Sequence, residues 1–167
     1  MRESRKLVRL MPELTAYTTS LTHNRVEAEG IAQDAILRAL EARSIPKNLS
    51  ELRPWLFRVA KNVFIDRKRK ERVRREYSRT EGRLSENVIN QTSNTVQALI
   101  VRQAYYALGS RDREILCLID ILGLTYAQAA EVIDVPIGTI MSRVSRARRA
   151  MRERMDDLNV HPIRKKR

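Results

Sequence analysis

The apolar residues of this chain recur with the period of a helix, and that repeat constrains the fold more than any other feature. Between Val26 and Arg43, residues Ala28, Ile31, Ala32, Ala35, Ile36, Ala39 and Leu40 follow helical spacing. They share one side of an α-helix and no single face of a strand. Leu7, Leu10, Met11, Leu14, Tyr17 and Leu21 mark an earlier helix over residues 7–22. Leu52, Trp55, Leu56, Val59 and Val63 mark a later one over residues 51–76. Pro54 is expected in the first turn of that helix, where a missing N–H costs little. Aromatics make up only 5% of the chain, with five Gly and five Pro, which is too few for a β-sandwich or barrel. Strand and helix patterns do not alternate, so the fold class expected is all-α rather than α/β.

Thr22-His23-Asn24 reads as a break and residues 44–50, with Pro46 and Asn48, as a loop. Residues 77–94 are polar and weakly periodic, rich in Ser, Thr, Asn and Gln. They read as a flexible linker between two small helical domains, residues 1–76 and 95–167. In the second half a helix carries Val96, Leu99, Ile100, Ala104 and Leu108, and another is expected over Asp112–Leu122. Thr125 followed by Gln128 is a capping-box pattern opening a helix over Tyr126–Ile133. Pro136 suits the first turn of a last helix running from Ile137. Two short helices joined by a tight turn, the second one basic, describe a helix-turn-helix. Ile140, Val144, Ala147, Met151 and Met155 form its inward stripe, and Ser142, Arg146 and Arg149 point away from it.

The net charge is +13, and it is uneven: +9 over residues 1–75, −3 over 76–136 and +7 over 137–167. One basic cluster runs from Arg67 to Arg75 and another from Arg143 to Arg154. Either alone reads equally as a solvated helix face. Two of them, each on an amphipathic helix, point to two contacts with a long polyanion. A single cysteine, Cys117, lies in an apolar run and reads as packing, which leaves no disulfide framework and no cysteine zinc site. His23 and His161 have no partner at ligand spacing, so neither metal nor other cofactor is expected. The chain offers no paired carboxylates with a histidine and no phosphate-binding Gly loop, so an enzyme is not expected. No apolar stretch approaches the roughly 20 residues that span a bilayer, and no apolar segment follows the basic N-terminus. A soluble, cytoplasmic protein without membrane insertion is expected.

Four segments together resemble a bacterial extracytoplasmic-function (ECF) sigma factor of the minimal two-domain type. Ala28-Glu29-Gly30-Ile31-Ala32-Gln33-Asp34-Ala35-Ile36-Leu37-Arg38-Ala39 is similar to the family's polymerase-binding segment. Pro54-Trp55-Leu56-Phe57-Arg58-Val59-Ala60-Lys61-Asn62 is similar to the segment that reads and melts the −10 element. Gly123 to Val132, and Val135 to Arg143 with Arg146-Ala147-Arg148, are similar to the helix-turn-helix that reads the −35 element. The chain departs from the family at Gly30, where an acidic residue is usual, and at Asp134, where Gly is usual in the turn. It departs again at Met141, where Lys or Arg is common. Asp is among the few residues other than Gly that tolerate a left-handed conformation.

The resemblance implies an alternative sigma factor. Such a protein binds core RNA polymerase, directs promoter-specific initiation on promoter DNA, and is commonly held by an anti-sigma factor. Residues 1–76 would be sigma region 2 and residues 95–167 sigma region 4. Core-polymerase contacts would fall on Glu29, Gln33, Asp34 and Arg38, although Gln33 and Asp34 taken alone read as solvated helix positions. Contacts at the −10 element would fall on Arg58, Lys61, Asn62, Lys68, Arg69 and Arg72. Contacts at the −35 element would fall on Thr139, Ser142, Arg143, Ser145, Arg146 and Arg149. Trp55 reads as core rather than as a base-stacking residue. A dimeric helix-turn-helix repressor or activator would explain the second half, but not the basic first half. Free protein is expected to bind promoter duplex weakly and with a steep salt dependence, because each phosphate contact adds to the slope. Fluorescence anisotropy across a salt series measures this, and tight, salt-insensitive binding would favour a repressor.

Overall fold

The structure, a computed structural model, describes residues 2–77 and 95–159. Every regular element among them is helical: α1 (Arg2–Arg9), α2 (Met11–Thr22), α3 (Arg25–Glu41), α4 (Leu49–Tyr77), α5 (Val96–Tyr106), α6 (Ser110–Leu116), α7 (Tyr126–Ile133) and α8 (Ile137–Asn159). A π-helical turn over Cys117–Ile121 continues α6. The expected linker lies, apart from Tyr77, outside the described residues.

Local chemistry sets the ends. The Asn24 side chain accepts from the Glu27 N–H at the start of α3, and the Thr95 hydroxyl accepts from Ala98 at the start of α5. Thr125 and Gln128 form the reciprocal capping box foreseen for α7. His23 (φ 58°) ends α2 and Asp134 (φ 61°) ends α7, both left-handed. Asp134 thus fills the conformation that Gly usually supplies.

Several boundaries differ from the sequence reading. The helix expected over 7–22 is two helices, because Pro12 has no N–H and starts a new one, α2. Helix α4 begins at Leu49, so Pro54 lies inside it rather than in its first turn. The helix expected over Asp112–Leu122 starts at Ser110 and widens at Cys117, where the Leu122 N–H reaches back five residues to the Cys117 carbonyl at 2.9 Å. Leu40, assigned to the buried stripe of α3, is half exposed.

Helix α4 packs on α2 and α3 within the first half and on α7 of the second. Helix α8 packs on α5, α6 and α7, and α6 packs on α2. One apolar core therefore runs through both halves, from Leu14, Tyr17, Ile31, Leu56 and Phe57 to Ile115, Leu118, Val132, Ile140 and Val144. Trp55 lies partly buried against it, as expected of a packing residue. Among the described residues no helix is long and apolar enough to cross a membrane.

Cys117 is buried, and burial pushes its thiol from the ordinary 9.0 up to about 11. The unfolded thiol ionises first, so folding stability is lost as pH rises from about 9 to about 11. Urea melts across that window should show the fall. A thiol reagent at pH 8 should modify Cys117 only once denaturant is present, and rapid labelling of the folded chain would contradict this burial.

Candidate nucleic-acid and protein interfaces

The residues expected to meet polymerase divide into two groups on α3. Glu29 is ion-paired with Arg25 at 2.8 Å, and Gln33 is exposed. Val26, Leu37 and Leu40 are exposed on the same side, so this face of α3 is apolar with polar interruptions. Leu37 is a member of this face that the sequence reading passed over. It stands one residue beyond Ile36, out of the buried stripe, and that offset is its signal. Asp34 and Arg38 face α4 instead. Asp34 accepts from Arg67 at 2.6 Å and Arg38 pairs with Asp66 at 3.2 Å.

Gly30 has a structural reason in this arrangement. The Arg67 guanidinium donates to the Gly30 carbonyl at 3.1 Å, and a Cβ at Gly30 would stand 3.2 Å from one of its nitrogens. The missing side chain lets Arg67 lie across α3 to reach Asp34.

The cations assigned to the −10 element lie along α4 in different settings. Asn62 and Arg69 are exposed, and Arg72 pairs with Glu76 one turn on. Lys68 sits between Glu27 (3.1 Å) and Glu71 (3.3 Å). Partial burial lowers the pKa of its ammonium, but the two carboxylates outweigh that and raise it overall. Arg58 and Lys61 both reach toward the second half of the chain, Arg58 while still exposed to solvent and Lys61 largely covered. Arg58 lies 3.6 Å from Asp134, and Lys61 meets Glu114 at 2.5 Å with only 18% of its side chain exposed.

Glu114 is the feature the sequence did not reveal. It is buried, and it accepts from the Tyr17 hydroxyl at 2.7 Å as well as from Lys61. Burial first, and then the Glu114 carboxylate, hold the Tyr17 hydroxyl well above its usual range. Tyr17 therefore remains a donor at any ordinary pH. Nearby, Arg113 donates to the Ser20 carbonyl at 3.3 Å and Arg53 to the Leu122 carbonyl at 2.7 Å. Gln128 donates to the Ser50 carbonyl at 2.9 Å. Pro54, four residues after Ser50, has no N–H to offer that carbonyl, so the capping side chain of α7 supplies the donor.

On α8, Ser142, Ser145, Arg146 and Arg149 are exposed, while Thr139 and Arg143 are half-buried. They lie away from the Ile140, Val144 and Ala147 stripe that faces the core. Met141 is exposed near the start of the same helix. Arg148, inside the basic cluster, is held by Asp120 of the π turn at 2.6 Å, so it anchors α8.

Residues 7–74 match the family model described as sigma-70 region 2, and residues 98–151 match sigma-70 region 4. The chain is 34% identical over 140 residues to the ECF RNA polymerase sigma factor EcfG of Rhodopseudomonas palustris, covering 83% of this chain and 76% of that protein. It belongs to the ECF sigma factor family. SigW of Bacillus subtilis is 32% identical over 152 residues, covering 79% of this chain and 77% of SigW. The sigma factor RpoE of Bartonella quintana, solved in complex with the anti-sigma factor NepR, superposes with a TM-score of 0.74 at 28% identity. That match covers 95% of this chain and 97% of RpoE. As an ECF sigma factor, the protein binds core RNA polymerase and directs it to promoters. The reading as a dimeric repressor or activator falls with this result.

The Asp34–Arg67 pair of this sigma factor is nearly half exposed on the Asp34 side. Asp34→Asn should therefore cost less than about 1 kcal/mol in a urea melt. A larger loss would make the pair a structural strut between α3 and α4.

Proposed function

We propose that residues 1–76 engage core polymerase and the −10 element, that residues 95–167 read the −35 element, and that residues 77–94 join them. The observation that carries this reading is the separation of surface chemistry. An apolar, partly polar face on α3 lies apart from the exposed cations of α4 and α8. An exposed apolar face suits a protein partner, while arginines on a helix suit phosphate and base edges.

On α3, Glu29 and Gln33 meet the polymerase together with Leu37 and Leu40, and Asp34 and Arg38 join them from the edge of that surface shared with α4. On α4, Asn62, Lys68, Arg69 and Arg72 follow the −10 strand from the outer part of the helix. Arg58 and Lys61 join them once they are free of the second half. On α8, Thr139, Ser142, Arg143, Ser145, Arg146 and Arg149 enter the major groove. The chain acts without catalysis of its own, in the cytoplasm where its polymerase works. It is held in check by an anti-sigma factor, a reading supported by the likeness to the RpoE–NepR complex.

Run-off transcription with core polymerase on a genomic promoter pool tests the function directly, since start sites dependent on the added protein are required. Arg146→Ala tests the helix. Arg146 is exposed, away from the buried stripe of α8, so the fold should be retained. Promoter affinity should fall by about 1–3 kcal/mol with relaxed discrimination at one −35 position. A smaller loss, uniform across −35 point variants and with a shallower salt slope, would assign Arg146 to phosphate. No change would remove this face of α8 from the groove.

A further inference from the structure

The outward side of α8 carries an apolar spot among its cations. Ile137 and Met141, one turn apart at the start of the helix, are 50% and 56% exposed. Helical spacing puts Met141 about a quarter-turn from the Ile140, Val144 and Ala147 stripe, on the shoulder next to Ser145. Gly138 lies between the two apolar residues. It is not left-handed, and a Cβ there would meet nothing within 4 Å. Neither backbone geometry nor packing asks for glycine at this position, and glycine in a helix is costly relative to alanine. What its bare surface supplies is room beside Met141 for a molecule from outside.

The surroundings say which molecule. Ser142, Ser145, Arg146 and Arg149 are exposed on the neighbouring face, and Arg143 is half-buried beside them. Such a run of arginines selects a polyanion, and the first turns of a helix laid in the major groove are those that reach base edges. A thioether offers the groove no donor and only a weak acceptor. Against guanine O6 and N7, or the amino group of cytosine or adenine, it would cover a polar atom without pairing it. The one apolar group that base edges display in the major groove is the C5 methyl of thymine. Met is also unbranched and polarizable, so it can settle on a methyl without a preset shape. We propose that Met141, with Ile137 behind it, reads a thymine methyl in the −35 element. At that base pair the chain's promoter preference then differs from that of relatives with Lys or Arg in its place. The inference rests on the assignment of α8 to the −35 element and deepens it: phosphates and polar base edges go to the arginines and serines, and one methyl goes to Met141.

The methyl can be removed from the DNA rather than from the protein, so the test does not depend on a variant that folds. A promoter recovered by run-off transcription is made as a fluorescein-labelled duplex. Each thymine of its −35 element, on either strand, is replaced in turn by deoxyuridine, which keeps every hydrogen-bonding group and lacks only the C5 methyl. Binding is measured with core polymerase carrying the full-length chain, wild type or variant. The expected result is one position at which uracil weakens wild-type binding about fourfold, the ratio for withdrawing one methyl from an apolar contact. Met141→Ala should bind the natural promoter at least about fourfold more weakly and no longer distinguish thymine from uracil at that position. Met141→Lys should be equally indifferent, with a steeper salt dependence from its added cation. If no uracil substitution weakens wild-type binding, or if the loss persists undiminished in Met141→Ala, the methyl reading is overturned. A −35 element without an A·T pair overturns it outright. Arg146→Ala on the same duplexes keeps this failure apart from failure of the −35 assignment. Weakened binding by Arg146→Ala with no uracil effect leaves α8 in the groove and removes only the contact of Met141. No effect from either, or no promoter that depends on the chain, overturns the assignment of α8, and the proposal falls with it.

Discussion

A carboxylate that leaves water must find charge and hydrogen bonds in exchange, and Glu114 finds both in the opposite half of the chain. Lys61 supplies the charge and Tyr17 the hydroxyl. Helix α6 lies beside α2 with both in place, and α7 packs against α4. Removing one partner of such a buried pair costs about 3–5 kcal/mol, because the other is stranded. Several other polar contacts of the joint are of a different kind. The Ser50 and Leu122 carbonyls and the Gln128 amide can exchange protein partners for water at small net cost. The specificity of the joint therefore rests on two buried charged side chains, Glu114 and Arg113, the latter donating to the Ser20 carbonyl, with the apolar core from Tyr17 to Ile115 supplying area around them.

The π turn after α6 belongs to the same arrangement. By adding one residue to a helical turn it turns the Leu122 carbonyl out to Arg53 and brings Asp120 to Arg148. One widened turn thus serves a contact to the first half and a contact to the base of α8. The orientation of the helix-turn-helix is coupled in this way to the same segment that carries Glu114.

What the sequence made legible was whatever depends on residues near one another in the chain. The stripe of α3 as far as Ala39, the capping box of Thr125 and Gln128 and the left-handed Asp134 are all local, and all appear in the structure. So does the packing role of Cys117, whose apolar neighbours announce it. Pro12 was legible in principle, as a helix start that the apolar period ran over. Glu114 and Lys61 lie 53 residues apart, and no periodicity on either helix marks them as partners. A lysine on the polar side of α4 looks the same in sequence whether it faces solvent or a carboxylate. Pro54 was misread for a related reason. A proline inside a helix is costly when its orphaned carbonyl has nowhere to turn, and only the tertiary structure shows Gln128 waiting for it. Of the candidate interface, the outward face of α8 was legible from the angle to its buried stripe, whereas Asp34 and Arg38 proved to be shared with α4.

Asp134 carries a consequence for how stability is distributed. A residue with a Cβ in the left-handed region costs on the order of 1 kcal/mol relative to glycine, so the turn between α7 and α8 is slightly less stable than it need be. In return the turn bears a carboxylate 3.6 Å from Arg58, and an exposed pair of this kind is worth at most about that much. The local order of the helix-turn-helix and the cohesion of the two halves therefore draw on one side chain in opposite directions. A chain with glycine at this position would hold its DNA-reading unit more firmly and its two halves more loosely, with little change in overall stability.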